Sequence, residues 1–82
     1  MKLNELKTVL ENKRVPKQYY SLNGGLPPDS LCIEQAKNGK WFTYYSDRGS
    51  RSELIEFETE EEACDYFYTW ISNDSYLENH FK

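Results

Sequence analysis

One histidine, His80, and two cysteines, Cys32 and Cys64, are the residues through which this chain could do nucleophilic or metal chemistry. A catalytic nucleophile needs a base within hydrogen-bond reach and a third group to orient that base. His80 lies close to the last residue of the sequence. A Ser-His-Asp or Cys-His arrangement would therefore rest on a fraying segment, and a surface histidine is the expectation. Structural zinc sites use closely spaced ligand pairs. Cys32, Cys64 and His80 include none, so no metal is expected. Lying far apart with no paired motif, the cysteines read as reduced thiols of a cytoplasmic protein, with a single disulfide as the alternative. Asn23-Gly24-Gly25 lacks the Lys-Ser/Thr that completes a phosphate loop and reads as a turn. Nothing among the many carboxylates singles out a pair for general acid–base work. No catalytic residue or cofactor is assigned, and the sequence predicts a binding protein rather than an enzyme.

The chemistry the sequence does favour is electrostatic recognition. Residues 1–51 hold nine Lys/Arg and five Asp/Glu, whereas residues 52–81 hold nine Asp/Glu and no Lys/Arg. With Lys82 the balance is +4 −9 +1, the net −4 of the chain. Such asymmetry points to a partner with a charged face. Phosphates repel carboxylates, so the acidic half is not expected to bind nucleic acid, and a basic protein is the fitting partner. Glu60, Glu61 and Glu62 suit the first turn of a helix, whose dipole favours anions. Helix logic does not account for Glu53, Glu56, Glu58 and Asp65. The candidate docking surface is thus Glu56, Glu58, Glu61, Asp65 and Tyr68, with a solvated helix face as the plain alternative. A second candidate is the hairpin end with Tyr45, Asp47 and Arg48, because Tyr, Trp and Arg are the usual interface anchors. Its plain alternative is a solvated turn.

The elements that must position these residues follow from periodicity. A chain of 82 residues is one domain, residues 1–82, with a modest core. Its start is charged and followed by no long apolar stretch, so neither a signal peptide nor a membrane span is expected. Leu3, Leu6, Val9 and Leu10 fall at helical spacing and predict a first helix over about residues 2–13, ending before Val15-Pro16. Pro16 can open one further turn. Asn38-Gly39 predicts a two-residue hairpin turn, with Ala36 facing Trp41 and Ile33 facing Tyr44. Leu31, Ile33, Phe42 and Tyr44 then share one face. Asp47–Ser50 is a turn, and residues 52–58 form a third, charged edge strand. Thr59 and Glu62 form a capping box for a last helix whose stripe is Ala63, Phe67, Trp70 and Ile71. The fold class is α+β: a three-stranded antiparallel meander between an N-terminal and a C-terminal helix.

The run Trp41-x-x-Tyr44-Tyr45-Ser46-Asp47-Arg48-Gly49, followed by Phe57-x-Thr59-Glu60-x-Glu62-Ala63-Cys64-x-Tyr66-Phe67, resembles small immunity proteins of bacterial polymorphic toxin systems. These include the immunity partners of contact-dependent growth inhibition toxins. Tyr19-Tyr20-Ser21-Leu22-Asn23-Gly24-Gly25-Leu26-Pro27 is similar as well, and the resemblance spans roughly residues 15–71. It rests on aromatic and turn residues, not on a catalytic signature. It implies a cytoplasmic, non-enzymatic protein that binds one cognate toxin domain, as a 1:1 heterodimer, and blocks it. Toxins of these systems are often nucleases with basic clefts, which an acidic surface would complement. The alternative reading is a regulatory module that binds a basic protein with no toxin involved.

Overall fold

A computed structural model describes residues 1–81 of the chain. Two helices, α1 (Leu3–Asn12) and α2 (Glu60–Ser72), accompany four strands. The strands are β1 (Tyr20–Ser21), β2 (Ser30–Gln35), β3 (Trp41–Asp47) and β4 (Ser50–Phe57). Single 3-10 turns lie at Lys17–Tyr19 and Glu78–His80. The strands form one mixed sheet in the order β1-β2-β3-β4, with β1 parallel to β2 and the other pairs antiparallel. The fold is α+β, but the expected three-stranded meander is incomplete: Tyr20 and Ser21 add a short parallel edge beside Leu31 and Cys32.

The β2–β3 hairpin is one residue longer in its loop than the Asn-Gly pair predicts. Ala36 N–H donates to the Lys40 carbonyl at 2.7 Å, and Gly39 N–H donates to the Ala36 carbonyl at 3.0 Å. Lys37, Asn38 and Gly39 thus make a three-residue loop with Gly39 at φ +90°, the left-handed position such loops require. The register slips by one, so Gln35, not Ala36, faces Trp41, and Ile33 faces Thr43. Leu31 and Ile33 therefore share a face with Trp41, Thr43 and Tyr45, while Cys32 and Glu34 share the other with Phe42 and Tyr44.

The first of these faces carries the helices. Leu31, Ile33 and Trp41 pack with Ala63, Cys64, Phe67 and Ile71 of α2, with Leu6 and Leu10 of α1, and with Val15 and Leu77. Full burial of a Leu, Ile or Phe side chain stabilises by roughly 1.5–3 kcal/mol. Thr59 caps α2, accepting a hydrogen bond from Glu62 N–H at 3.2 Å, but the expected box is half-formed: the Glu62 carboxylate accepts from the Thr59 hydroxyl at 3.1 Å rather than from its N–H. Two stripe assignments need correction. Trp70 is only half-buried, and Tyr68, expected on the outer side of α2, is half-buried and packs edge-on against Phe81 at 5.7 Å.

The opposite face is covered by chain rather than by helix. Within the segment 22–29 that joins β1 to β2, Gly24 and Gly25 fold back over it against Glu34 and Tyr44, and Cys32, Tyr44 and Ser46 are buried there. Ser30 anchors the return by donating from Oγ toward the carbonyls of Gln18 and Pro28, each at 2.9 Å. Tyr44 donates from its hydroxyl toward the Gly25 carbonyl at 2.7 Å and Glu34 Oε1 at 2.8 Å. The Arg51 guanidinium sits 4.7 Å from the Tyr44 ring centre and 3.2 Å from Glu34 Oε1.

Candidate protein-docking surface

The acids that look unpaired in sequence are largely paired in space. Lys2 Nζ lies 3.0 Å from Glu61 and 3.9 Å from Glu60. The N-terminal amine lies 2.8 Å from Asp65, and Leu3 N–H donates to Glu60 at 2.6 Å. Helix α1 thus presents its cationic end to the acidic first turn of α2. The bond from Lys2 holds the Glu61 carboxyl below its ordinary value, and Glu61 in turn raises the Lys2 ammonium. On the sheet, Lys40 Nζ lies 3.4 Å from Glu58 and 3.7 Å from Glu56, and Glu58 chiefly raises the Lys40 ammonium. The absence of a local base along residues 52–81 was legible; its compensation by distant residues was not.

The eight docking candidates consequently fall in three places. Glu61 and Asp65 are exposed but tied to the start of α1, with Tyr68 turned toward the core. Glu56 and Glu58 lie at the end of β4, bridged by Lys40. Tyr45, Asp47 and Arg48 lie at the opposite end of the β3–β4 hairpin. Arg48 and Gly49 have φ of 53° and 77°, the pair of left-handed residues that suits a two-residue turn to strand twist. Asp47 faces Ser50 across that turn, and Arg48 projects into solvent.

Tyr45 opens onto a cavity of about 160 Å3 that also touches Tyr19, Asp29, Leu31, Asp74 and Tyr76. The Tyr45 hydroxyl donates to the Asp29 carboxylate. That bond pushes the phenol up to about 12, so Tyr45 stays a neutral donor at physiological pH. Neither Asp29 nor Asp74 forms an ion pair among the described residues; Asp74 accepts the Tyr76 N–H at 2.9 Å. Two carboxylates without cations, set among three tyrosine rings, suit an ammonium or guanidinium group, which rings attract through their faces. Reading the sequence missed Asp29 and Asp74. The first sits in a Pro-rich linker and the second just past α2, and only the fold brings them together.

The residues considered for chemistry are placed apart. Cys64 lies in the helix-side core, whereas Cys32 lies beside Tyr44 beneath segment 22–29. Both are free and buried, and desolvation pushes each thiol up to about 11. The His80 Nδ1 lies 3.0 Å from the Lys13 carbonyl in a half-buried position, not at the open surface the sequence led one to expect. Among the described residues no three His, Cys, Asp or Glu side chains converge as metal ligands would. No helix among them is long and apolar enough to cross a membrane. No protein-family model, curated protein or solved structure shows significant similarity to this chain.

Proposed function

We propose that this chain is an immunity-type protein: a cytoplasmic, non-catalytic partner that binds a basic toxin domain one to one and neutralises it. The observation that supports this most is the cavity at Tyr45. Once internal pairs among the described residues are subtracted, Asp29 and Asp74 are carboxylates that share a concave site without a cation, and aromatic walls surround them. A lysine or arginine of the partner seats there, with Asp47 near Tyr45 and with Glu56 and Glu58 at the other end of the hairpin. Anchors of this kind dominate interfaces when a pocket desolvates them. Because the cavity lies beside carboxylates, it attracts the positive cleft of a nuclease and repels that enzyme's nucleic-acid substrate. The toxin enters this reading only through the resemblance of residues 15–71; the two carboxylates among tyrosines support a cationic contact.

The test is to read the gene upstream of this chain's own and, where it encodes a large secreted protein with a toxic C-terminal domain, to co-express that domain and score growth; a neighbouring gene of another kind counts against the reading. Rescue, with a 1:1 complex by light scattering, is the expected result. Rescue should be lost in a folded Asp29→Asn/Asp74→Asn variant. Growth arrest unrelieved by the wild-type chain sinks the reading and favours a regulatory module for some other basic protein.

A further inference from the structure

Strand β4 is the long edge of the sheet. Among the described residues it pairs with β3 on one side and with no other strand on the opposite side. An open edge is a row of free N–H and C=O groups and a template for further pairing. Natural edges are commonly kept short, but β4 runs for eight residues, and seven of them are exposed. Its apolar members are not hidden: Leu54 is 50% and Ile55 37% exposed. Along the helix side, Phe57 and Tyr66 stack with ring centres 5.3 Å apart, and Tyr66 lies 6.0 Å from Trp70. Ile55, Phe57, Tyr66 and Trp70 thus form an apolar ledge beside an unfilled backbone edge.

We propose that β4 receives an extended, lysine- or arginine-bearing strand of the partner protein, which adds antiparallel or parallel to the sheet. The edge supplies main-chain hydrogen bonds, and the ledge takes alternate side chains of the incoming strand. Charge selects the occupant. Strand β4 bears Glu53, Glu56 and one base, Arg51; Arg51 is turned to Glu34 and Tyr44, and Glu56 lies 3.7 Å from Lys40, so Glu53 is its unpaired charge. Glu53 has no cationic partner among the described residues, and the chain as a whole is −4. A second copy is disfavoured by the same charge, because pairing two β4 edges brings the unpaired Glu53 of both copies, each chain at −4, to one seam. The bulge between Thr43 and Tyr45, where Glu53 takes φ 55°, bends the strand and so limits pairing with strands not shaped for it. This proposal rests on the neutralisation reading for the identity of the partner, but the edge can be tested without it.

The experiment is residue-resolved amide exchange on the chain alone, with a toxic domain found by the co-expression test above, and with a synthetic eight-residue peptide of alternating lysine and valine. A peptide of alternating glutamate and valine is the control. The expected result is about tenfold or greater slowing of the outward-facing β4 amides by the toxic domain, and about tenfold weaker binding by Ile55→Lys, whose half-exposed site leaves the fold intact. A tight complex that leaves β4 exchange unchanged overturns the edge proposal and keeps neutralisation. If the toxic domain does not bind, the neutralisation reading fails and the peptides decide. Protection by the lysine peptide alone keeps β4 as a docking strand for basic segments. Protection by neither peptide, or equally by both, overturns the proposal. Protection that grows with concentration of the chain alone assigns the edge to a second copy and also overturns it.

Discussion

The ammonium of Lys2 lies 3.0 Å from the carboxylate of Glu61, joining the start of α1 to the first turn of α2. The pair is exposed, so its worth is screened by solvent and salt, yet it has a definite pH signature. The Glu61 carboxyl is lowered in the fold from its ordinary 4.5. A lowered carboxyl stabilises above its unfolded value and loses that contribution as pH falls through the folded one. Glu61→Gln should therefore reduce the urea midpoint slightly at neutral pH. The two curves should converge as pH drops below the carboxylate range. Urea titrations of both proteins across acid pH check this; a constant gap would mean the effect is not the ion pair.

Burial separates two aromatics of α2 that sequence periodicity placed together. Phe67 is fully buried, and Trp70 is half-buried against Tyr66 and Phe67. Phe67→Ala should cost ~3–5 kcal/mol, enough to unfold much of so small a domain. Trp70→Ala should cost less, about 1–3 kcal/mol, and leave a cooperatively folding protein. Equilibrium urea unfolding of the two variants decides it, and equal costs would return Trp70 to the core.

The covering of the outer sheet face depends on one glycine. Gly24 has φ +73°, and a Cβ there would lie 2.8 Å from both Cβ and Cδ of Glu34. Gly39 has φ +90° but open space around it. Both substitutions to alanine incur backbone strain of ~1–3 kcal/mol, but Gly24→Ala also pushes against the Glu34–Tyr44–Arg51 cluster. It should be the more destabilising of the two by thermal melting. It should also speed amide exchange in segment 22–29, a change Gly39→Ala does not make.

The sequence made local devices legible and hid those that depend on distant partners. The Thr59–Glu62 cap, the end of α1 before Pro16, and the Arg48-Gly49 turn are each decided within a few residues, and the structure has them all. Asn38-Gly39 marked a hairpin but not its loop length, because a left-handed glycine serves two- and three-residue loops alike. That one residue changed which side chains face each other across the whole β2–β3 pair. Strand β1 left no signal: it is two residues long and gains its partner only when segment 22–29 carries the chain back. The docking surface was read from charge density, and charge density is blind to tertiary neutralisation. Lys2 and Lys40 removed much of the apparent excess, whereas Asp29 and Asp74, scattered in sequence, gathered at Tyr45.

Both thiols should be inert in the folded protein. Cys32 and Cys64 are fully buried, and desolvation holds each near 11, so the reactive thiolate is scarce at pH 8. A thiol reagent at that pH should label neither cysteine until urea unfolds the chain, and then both together. Rapid labelling of one cysteine in native buffer would show that its cover opens locally, with Cys32 under segment 22–29 the natural suspect.

The last prediction separates the Tyr45 cavity from the acidic helix as the docking site. Asp29 has φ 48°, a left-handed conformation asparagine tolerates as well as aspartate. In Asp74→Asn the amide oxygen can still accept the Tyr76 N–H that the Asp74 carboxylate accepts now. Asp29→Asn/Asp74→Asn should thus fold normally while losing two charges from the cavity. If a partner lysine or arginine is desolvated there, truncating its counter-charge is worth ~2–5 kcal/mol, mostly as faster dissociation, with slower association at low salt. Glu61→Gln/Asp65→Asn removes the same charge from a face already neutralised by α1, and should leave both rates near wild type. Binding kinetics to the proposed basic partner at two salt concentrations tell the two apart. If the helix variant, and not the cavity variant, loses affinity, the partner docks on α2 after displacing the start of α1, and the Tyr45 cavity is only a surface hollow.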